Sequence, residues 1–305
     1  AGVPARPDWG DCADRAGPPR ATLTGGDARL EPFMHDILVH IDPNADKDPV
    51  VDFALGLAAR FSANATVTAA TVSEIPAGYM LEGGRALIDE LQGRGHTTMG
   101  STRGRFGGTA RPRGVIAETV PLEGAAPDLQ RSVAELARHF DLSVVGQPGK
   151  RDGRMGLVEA LLFDSGRPVV MVPTIFQGAP RFDTVLVAWD GGKEAARAIA
   201  GAMPILKQAR DVQLVTVVEP RKRDAVDLPG FNITLHLARK GVHAEPKRIT
   251  SELDPGNTLL SHAADTGADL IVMGAYGHSR WREMLLGGAT RQILQSMTLP
   301  AFLAH

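Results

Sequence analysis

Cysteine is almost absent from this chain: its 305 residues include one, Cys12. A single cysteine cannot form an internal disulfide, and the sequence has no Cys/His cluster with the spacing of zinc ligands. Both features favour a reducing compartment, so we expect a cytoplasmic protein. The first residues also lack the basic-then-apolar pattern of a secretion signal.

A strong charge bias and long apolar runs are missing as well. The net charge of −2 gives no general attraction to nucleic acid or to an anionic membrane. No apolar run approaches the ~20 residues needed to cross a bilayer. The hydrophobic share of 43% and the charged share of 22% are typical of a globular protein, and the length suffices for two domains with their own cores.

What the sequence does contain is a repeat: the same order of segments occurs twice. The matching segments are 37–42 with 183–190, 71–74 with 216–219, 114–118 with 241–245, 141–149 with 269–277, and 167–172 with 299–304. Five landmarks in one order indicate an internal duplication. Because short apolar strands alternate with helical patterns, the sequence predicts an α/β protein. We expect two tandem doubly wound domains, each with a five-stranded, mainly parallel sheet, Rossmann-like in architecture.

Composition sets the expected boundaries. Residues 1–32 are rich in Gly, Pro, Ala and Arg and predict a flexible leader. Residues 33–174 are the expected first domain, 175–181 a linker and 182–305 the second domain. Prolines on both sides of strand 169–172 predict an edge position for it.

The region between strands two and three of the first domain is less regular. Residues 79–91 fit an amphipathic helix, whereas 96–108 are too rich in Gly and Thr to extend it. Arginines among these glycines could bind RNA, but they are few. A solvated loop or frayed helix is the favoured interpretation.

The most informative stretch lies near the end of the chain. A buried strand at 269–274 leads into a glycine-containing loop and then a helix around 291–295. Glycines lack the Cβ that keeps ligands off the backbone, and the first N–H groups of a helix attract anions. The pattern predicts a phosphate site, with the Thr290 hydroxyl just inside the helix. A tight αβ connection without a ligand is the alternative.

The glycine spacing is neither that of a Walker loop nor that of the dinucleotide fingerprint. It is Gly-x2-Gly-x9-Gly, with Gly274, Gly277 and Gly287 in those places after Val-Met-Gly. This resembles the nucleotide loop of the universal stress protein family, and the resemblance extends over about residues 33–305, most specifically in the second half. It implies ATP, AMP or ADP as ligand, with or without Mg²⁺, and a nucleotide-linked regulatory role in stress response.

The resemblance also implies roles for individual residues. Asp190, after the first strand of the second half, and Val217, in its second strand, would hold the adenine, and Gly274 would meet the ribose. The phosphates would be surrounded by Gly277, Gly287, Gly288, Ala289 and Thr290. Gly288 departs from the family, which usually has Ser there, so one hydroxyl donor is lost. For Asp190, capping the helix that begins near Gly192 is an alternative role.

The first half departs further from this pattern. Counting back from Pro168, as from Pro300, puts Met155 where Gly287 stands and Val158 where Thr290 stands. We therefore predict that the first half binds no triphosphate in the family manner. A solvated basic loop is favoured over an anion site for Lys150, Arg151 and Arg154.

No nucleophile-and-base arrangement is evident, so we expect no enzyme, although slow ATP hydrolysis stays open. Three histidines are scattered over different predicted elements, so surface positions are favoured over a metal site for them; they are His236, His243 and His262. Segments 169–172 and 301–304 could align antiparallel within one chain as a pseudo-dimer, and a homodimer is open. The alternative function is a scaffold with empty pockets that acts through protein partners.

Overall fold

The computed structural model describes residues 34–41, 48–72, 100, 104, 106–124, 126–149, 154–218, 232–251, 254–277 and 288–305. The leader at 1–32, the predicted helix at 79–91 and Asp42 lie outside these described residues. Within them, no helix is long and apolar enough to cross a membrane.

Ten strands of the described chain form one sheet in the order β3-β2-β1-β4-β5-β10-β9-β6-β7-β8. The strands of the first half are β1 Asp36–His40, β2 Asn64–Val72, β3 Ala117–Gly124, β4 Leu142–Gly146 and β5 Val169–Val172. Those of the second half are β6 Thr184–Ala188, β7 Asp211–Val218, β8 Ala244–Thr250, β9 Leu270–Gly274 and β10 Ala301–Ala304. The two halves repeat one strand order, which confirms the predicted tandem α/β fold.

The helices among the described residues are α1 Pro49–Phe61, α2 Ala126–Ala137, α3 Arg154–Asp164, α4 Lys193–Leu206, α5 Ile233–Arg239, α6 Pro255–Thr266 and α7 Gly288–Ser296. Local sequence fixes the start of α1. Asp48 is its N-cap and accepts a hydrogen bond from the backbone N of Val50 at 2.9 Å, and Pro49 occupies the first turn, where no N–H partner is needed.

Apolar side chains cover both faces of the sheet. Along β6, Val185 and Val187 belong to the core on one face and Leu186 to the core on the other. Successive strand residues point to opposite faces, so a run that is apolar at every position requires cover on both sides. Each of the two cores contains residues from both halves of the chain, so the halves share their hydrophobic interior.

The strand at 169–172 is the outermost of the five strands from the first half, as predicted, but it is not an edge of the whole sheet. β5 occupies a central place between β4 and β10. Pro168 and Pro173 fall just outside the paired residues, so neither proline removes a hydrogen-bond donor from the strand itself. Every neighbouring pair of described strands is parallel except β5 with β10, which align antiparallel with Phe302 opposite Val170, as expected for these two segments.

The region between strands two and three, for which the sequence favours a solvated loop or frayed helix, contains a helix that is partly buried. Residues 106–110 are helical and continue into a 3₁₀ turn at Arg111–Arg113. Phe106 is 1% exposed and Ala110 is fully buried. Tertiary burial of one aromatic ring therefore outweighs the low helix propensity of the glycines around it. The third strand begins at Ala117, three residues after the start of the repeated segment 114–118.

Candidate functional site

The sheet topology creates a crevice in the second half. From β6 the chain runs outward to β7 and β8 on one side, whereas β9 and β10 lie on the other side. Ligands of open α/β sheets bind beyond the carboxyl ends of the strands where the order reverses. The structure brings Asp190, Val217 and Gly274 to this edge, because they follow or end β6, β7 and β9.

Asp190 is exposed at the mouth of the crevice. Its Oδ1 accepts a hydrogen bond from the backbone N of Gly192 at 2.8 Å, across a turn in which Gly191 has φ 77°. Gly192, with extended backbone, is the N-cap of α4, so the alternative in which Asp190 caps this helix is wrong. A Cβ placed on Gly277 would lie 3.8 Å from Asp190 Oδ2, so the second carboxylate oxygen is near the glycine loop.

Gly274 is where strand and helix meet most closely. A Cβ placed on it would lie 2.5 Å from the backbone N of Ala195 and 2.7 Å from the carbonyl carbon of Glu194. Both neighbours are backbone atoms of the first turn of α4. The first glycine of the loop is therefore required by packing between β9 and α4, independently of any ligand.

Gly277 has a neighbour that sequence analysis missed, the side chain of Glu194. A Cβ on Gly277 would lie 3.0 Å from Glu194 Oε2. Glu194 is 3% exposed, and its Oε1 lies 3.3 Å from Lys193 Nζ. Its position four residues after Asp190, in the first turn of a helix that starts at the crevice, is the sequence signal that could have identified it.

Helix α7 closes the other side of the crevice. It begins at Gly288, so Gly288 and Ala289 contribute backbone N–H groups of its first turn; Gly287 lies outside the described residues. Thr290 is 5% exposed, and its Oγ1 accepts a hydrogen bond from the backbone N of Tyr276 at 3.4 Å. The hydroxyl thus holds the loop against the helix while keeping its own proton to donate.

The first half of the chain braces this loop. Tyr276, with φ 59°, has its ring 4.9 Å from the ring of Phe163 in α3, and Phe163 lies edge-on to His305 at 4.6 Å. Gln147, also of the first half, donates from Nε2 to the backbone O of Leu294 in α7 at 3.0 Å. The first half therefore supports both the glycine loop and the helix after it.

Tyr276 provides a pH prediction. Burial, and after it the negative charge of Glu159, raises the pKa of Tyr276 well above its ordinary value of about 10. The neutral phenol is thus favoured in the folded state, which gives stability that is complete below the unfolded pKa and is lost as pH rises through the folded one. The chain has two tyrosines, so in a Tyr79→Phe variant the ultraviolet absorbance of phenolate reports Tyr276 alone. We expect the phenol of Tyr276 to ionise at a higher pH than free tyrosine does. Ionisation at the pH of free tyrosine would contradict the buried placement of this side chain.

The corresponding crevice of the first half is covered by side chains. A Cβ on Gly146, at the end of β4, would lie 3.2 Å from Arg154 Nη1 and 3.3 Å from Val50 Cγ2. Val158 is fully buried. These contacts agree with a first half that binds no triphosphate in the family manner, which stays a prediction. Lys150 and Arg151 lie outside the described residues.

Other candidate positions have structural explanations. The Nε2 atom of His262 lies 2.9 Å from Gln213 Oε1, and His243 is exposed. Among the described residues, no group of three or more His, Cys, Asp or Glu side chains could hold a metal ion. Two shallow pockets, of ≈220 and ≈330 Å³, lie at the opposite edge of the sheet, beside the amino ends of β9 and β10 and of β2 and β3.

Comparison with known proteins gives one family. Residues 181–305 match the model of the Universal stress protein family. Universal stress protein YxiE of Bacillus subtilis is 29% identical over 149 residues, 41% of this chain and 99% of that protein. Universal stress protein Slr1230 of Synechocystis is 26% identical over 177 residues, 54% of this chain and 58% of that protein.

One solved structure agrees with the fold over most of the chain. A universal stress protein from Archaeoglobus fulgidus has a TM-score of 0.61 and 17% identity, and the match covers 88% of this chain and 97% of that one. A universal stress protein solved in complex with cAMP is 21% identical with a TM-score of 0.32, and the match covers 46% of this chain and 98% of that one.

Proposed function

Because residues 181–305 match the model of the Universal stress protein family, we propose that this chain binds ATP or a related adenine nucleotide through its second half and acts as a nucleotide-linked regulator in stress response. One observation carries the proposal: Gly274 ends β9 and Gly277 follows it at the point where the strand order reverses, opposite the first turn of α7. Backbone N–H groups of a helix start favour an anion at such a place.

The roles proposed for individual residues follow the resemblance. Asp190 and Val217 hold the adenine, Gly274 meets the ribose, and Gly277, with the first turn of α7, meets the phosphates. Mg²⁺ is proposed to accompany a polyphosphate, since the nearby carboxylates are ligands that it prefers. No dedicated catalytic group is assigned, so turnover is not part of the proposal.

Two further parts of the proposal concern the whole chain. Antiparallel pairing of β5 with β10 supports an intramolecular pseudo-dimer, in which each half covers the sheet edge of the other. A cytoplasmic location is proposed from the scarcity of cysteine.

Equilibrium binding of labelled ATP, with Mg²⁺ present, tests the central proposal. We compare the wild type with Gly277→Trp, whose indole would fill the space beside Glu194 Oε2, and with Asp190→Ala. Gly277→Trp is expected to lose binding by about a hundredfold or more, and Asp190→Ala by about tenfold through a lost charged hydrogen bond. Gly108→Trp, at an exposed position of the first half where an added Cβ meets nothing within 4 Å, is the matched control and should bind as the wild type does.

A scaffold without nucleotide is the second candidate, and one observation favours it. The carboxylates of Glu194 and Asp190 both lie near Gly277, where the proposal puts phosphate. Negligible ATP binding by the wild type and Gly277→Trp alike would favour the scaffold and reject the nucleotide proposal.

A further inference from the structure

Glu194 borders both described glycines of the loop. Its Cβ lies 2.8 Å from a Cβ placed on Gly274, and its Oε2 lies 3.0 Å from a Cβ placed on Gly277. The residue is 3% exposed, so its carboxylate is fixed by packing instead of extending freely into solvent. An atom placed at the Cβ position of Gly277 would therefore contact Oε2.

The charge beside this position is only partly compensated within the described residues. Lys193 Nζ lies 3.3 Å from Glu194 Oε1, but the lysine side chain is 70% exposed and its charge is screened by water. Asp190 adds a second carboxylate, whose Oδ2 is 3.8 Å from the same point. Among the described residues beside Gly277 there are thus two carboxylates, and the positive charge that opposes them comes from one ammonium group and the amino end of one helix.

We infer that Glu194 is a specificity residue that makes this crevice discriminate against phosphate charge, so that it binds adenosine and adenine monophosphates more tightly than metal-free ATP. The inference rests on the proposed function and names the ligand class of the same site. Each ionised phosphate near Gly277 is repelled by the buried carboxylate, and this repulsion grows as the surroundings exclude water.

Ribose hydroxyls behave in the opposite way. A hydroxyl donates a hydrogen bond to a carboxylate oxygen, and such bonds to a charged acceptor are among the stronger ones. Glu194 Oε2 and Asp190 Oδ2 are both acceptors at the loop. The same two side chains that repel phosphate can therefore hold a nucleoside, and a divalent cation would relieve the repulsion for ATP.

Titration calorimetry with adenosine, AMP and ATP tests this, first with EDTA and then with Mg²⁺. In EDTA the wild type should bind adenosine and AMP more tightly than ATP. Glu194→Gln keeps the shape of the side chain and removes its charge, so ATP affinity should rise by about tenfold or more, whereas adenosine affinity should not rise, because the ribose exchanges a charged acceptor for a neutral one. Mg²⁺ should reduce the difference in ATP affinity between the wild type and Glu194→Gln. Glu135→Gln, an exposed carboxylate of the first half, is the control with the same change in net charge and should behave as the wild type does.

The outcomes separate the inference from the proposal on which it rests. Tighter binding of ATP than of adenosine by the wild type in EDTA overturns the inference and leaves nucleotide binding intact, whether or not Glu194→Gln folds. An unchanged ratio of ATP to adenosine affinity in a folded Glu194→Gln, checked by circular dichroism, overturns it too. If none of the three ligands binds any of the proteins, the proposed function fails and the inference falls with it.

Discussion

Replacing Gly274 with alanine is expected to lower the free energy of unfolding by about 3 kcal/mol and to abolish ligand binding in the crevice. The added methyl group would lie 2.5 Å from the backbone N of Ala195, and Cβ atoms do not approach other atoms so closely. Backbone atoms of a helix cannot turn aside as a side chain can, so β9 and α4 must separate. The crevice lies between these two elements, and its geometry changes with them.

Urea denaturation measures the stability loss, and calorimetry with adenosine measures binding. Gly108→Ala is the matched control: a Cβ there meets nothing within 4 Å, and the residue lies in the helical segment 106–110. Alanine is expected to be neutral at that position or to stabilise by up to about 1 kcal/mol, because it restricts the unfolded chain. Equal stabilities for the two variants would contradict the close approach of β9 and α4.

Replacing Phe302 with alanine is expected to cost about 3–5 kcal/mol in the free energy of unfolding. The ring is fully buried in β10, opposite Val170 of β5. A Cβ on Gly201 of α4 would lie 3.2 Å from the ring Cζ and 3.5 Å from Pro168 Cγ, so the ring fills space between the two halves. Its loss leaves a cavity that rigid strands cannot close.

Phe302→Leu is the control, since leucine retains most of the apolar volume and should cost less than half as much. Both variants are compared with the wild type by urea denaturation. A loss below about 1 kcal/mol in Phe302→Ala would mean that the two halves do not depend on this ring, and that the seam between β5 and β10 is held mainly by backbone hydrogen bonds.

Much of the fold was predictable because its signals are local. The acidic cap and first-turn proline fix the start of α1 from Asp48 and Pro49, and the buried strands follow from short apolar runs. Local signals were insufficient where a distant contact decided the outcome. β5 ends the five strands of the first half, but it is not an edge of the whole sheet because β10, about 130 residues later, pairs with it. Residues 106–110 are helical around a buried Phe106.

The same division holds for the candidate site. Glycine spacing indicated Gly274 and Gly277, and the repeat indicated Asp190 and Val217, which the structure brings to one edge of the sheet. Neither pattern predicts that Glu194 lies beside Gly277 or that Phe163 contacts Tyr276, because both contacts join segments that are far apart in the chain.

By itself the sequence determined that the chain repeats an α/β unit, that both faces of its strands are covered, and that one loop of the second half has glycines at the spacing Gly-x2-Gly-x9-Gly. Only the tertiary structure decided that a buried carboxylate stands beside that loop, and that the first half supports it through Phe163 and Gln147. The physical reason is the distance along the chain over which each effect acts. Backbone preferences and apolar periodicity act within a few residues, whereas the charge around a ligand is set by whichever side chains packing brings within a few ångströms.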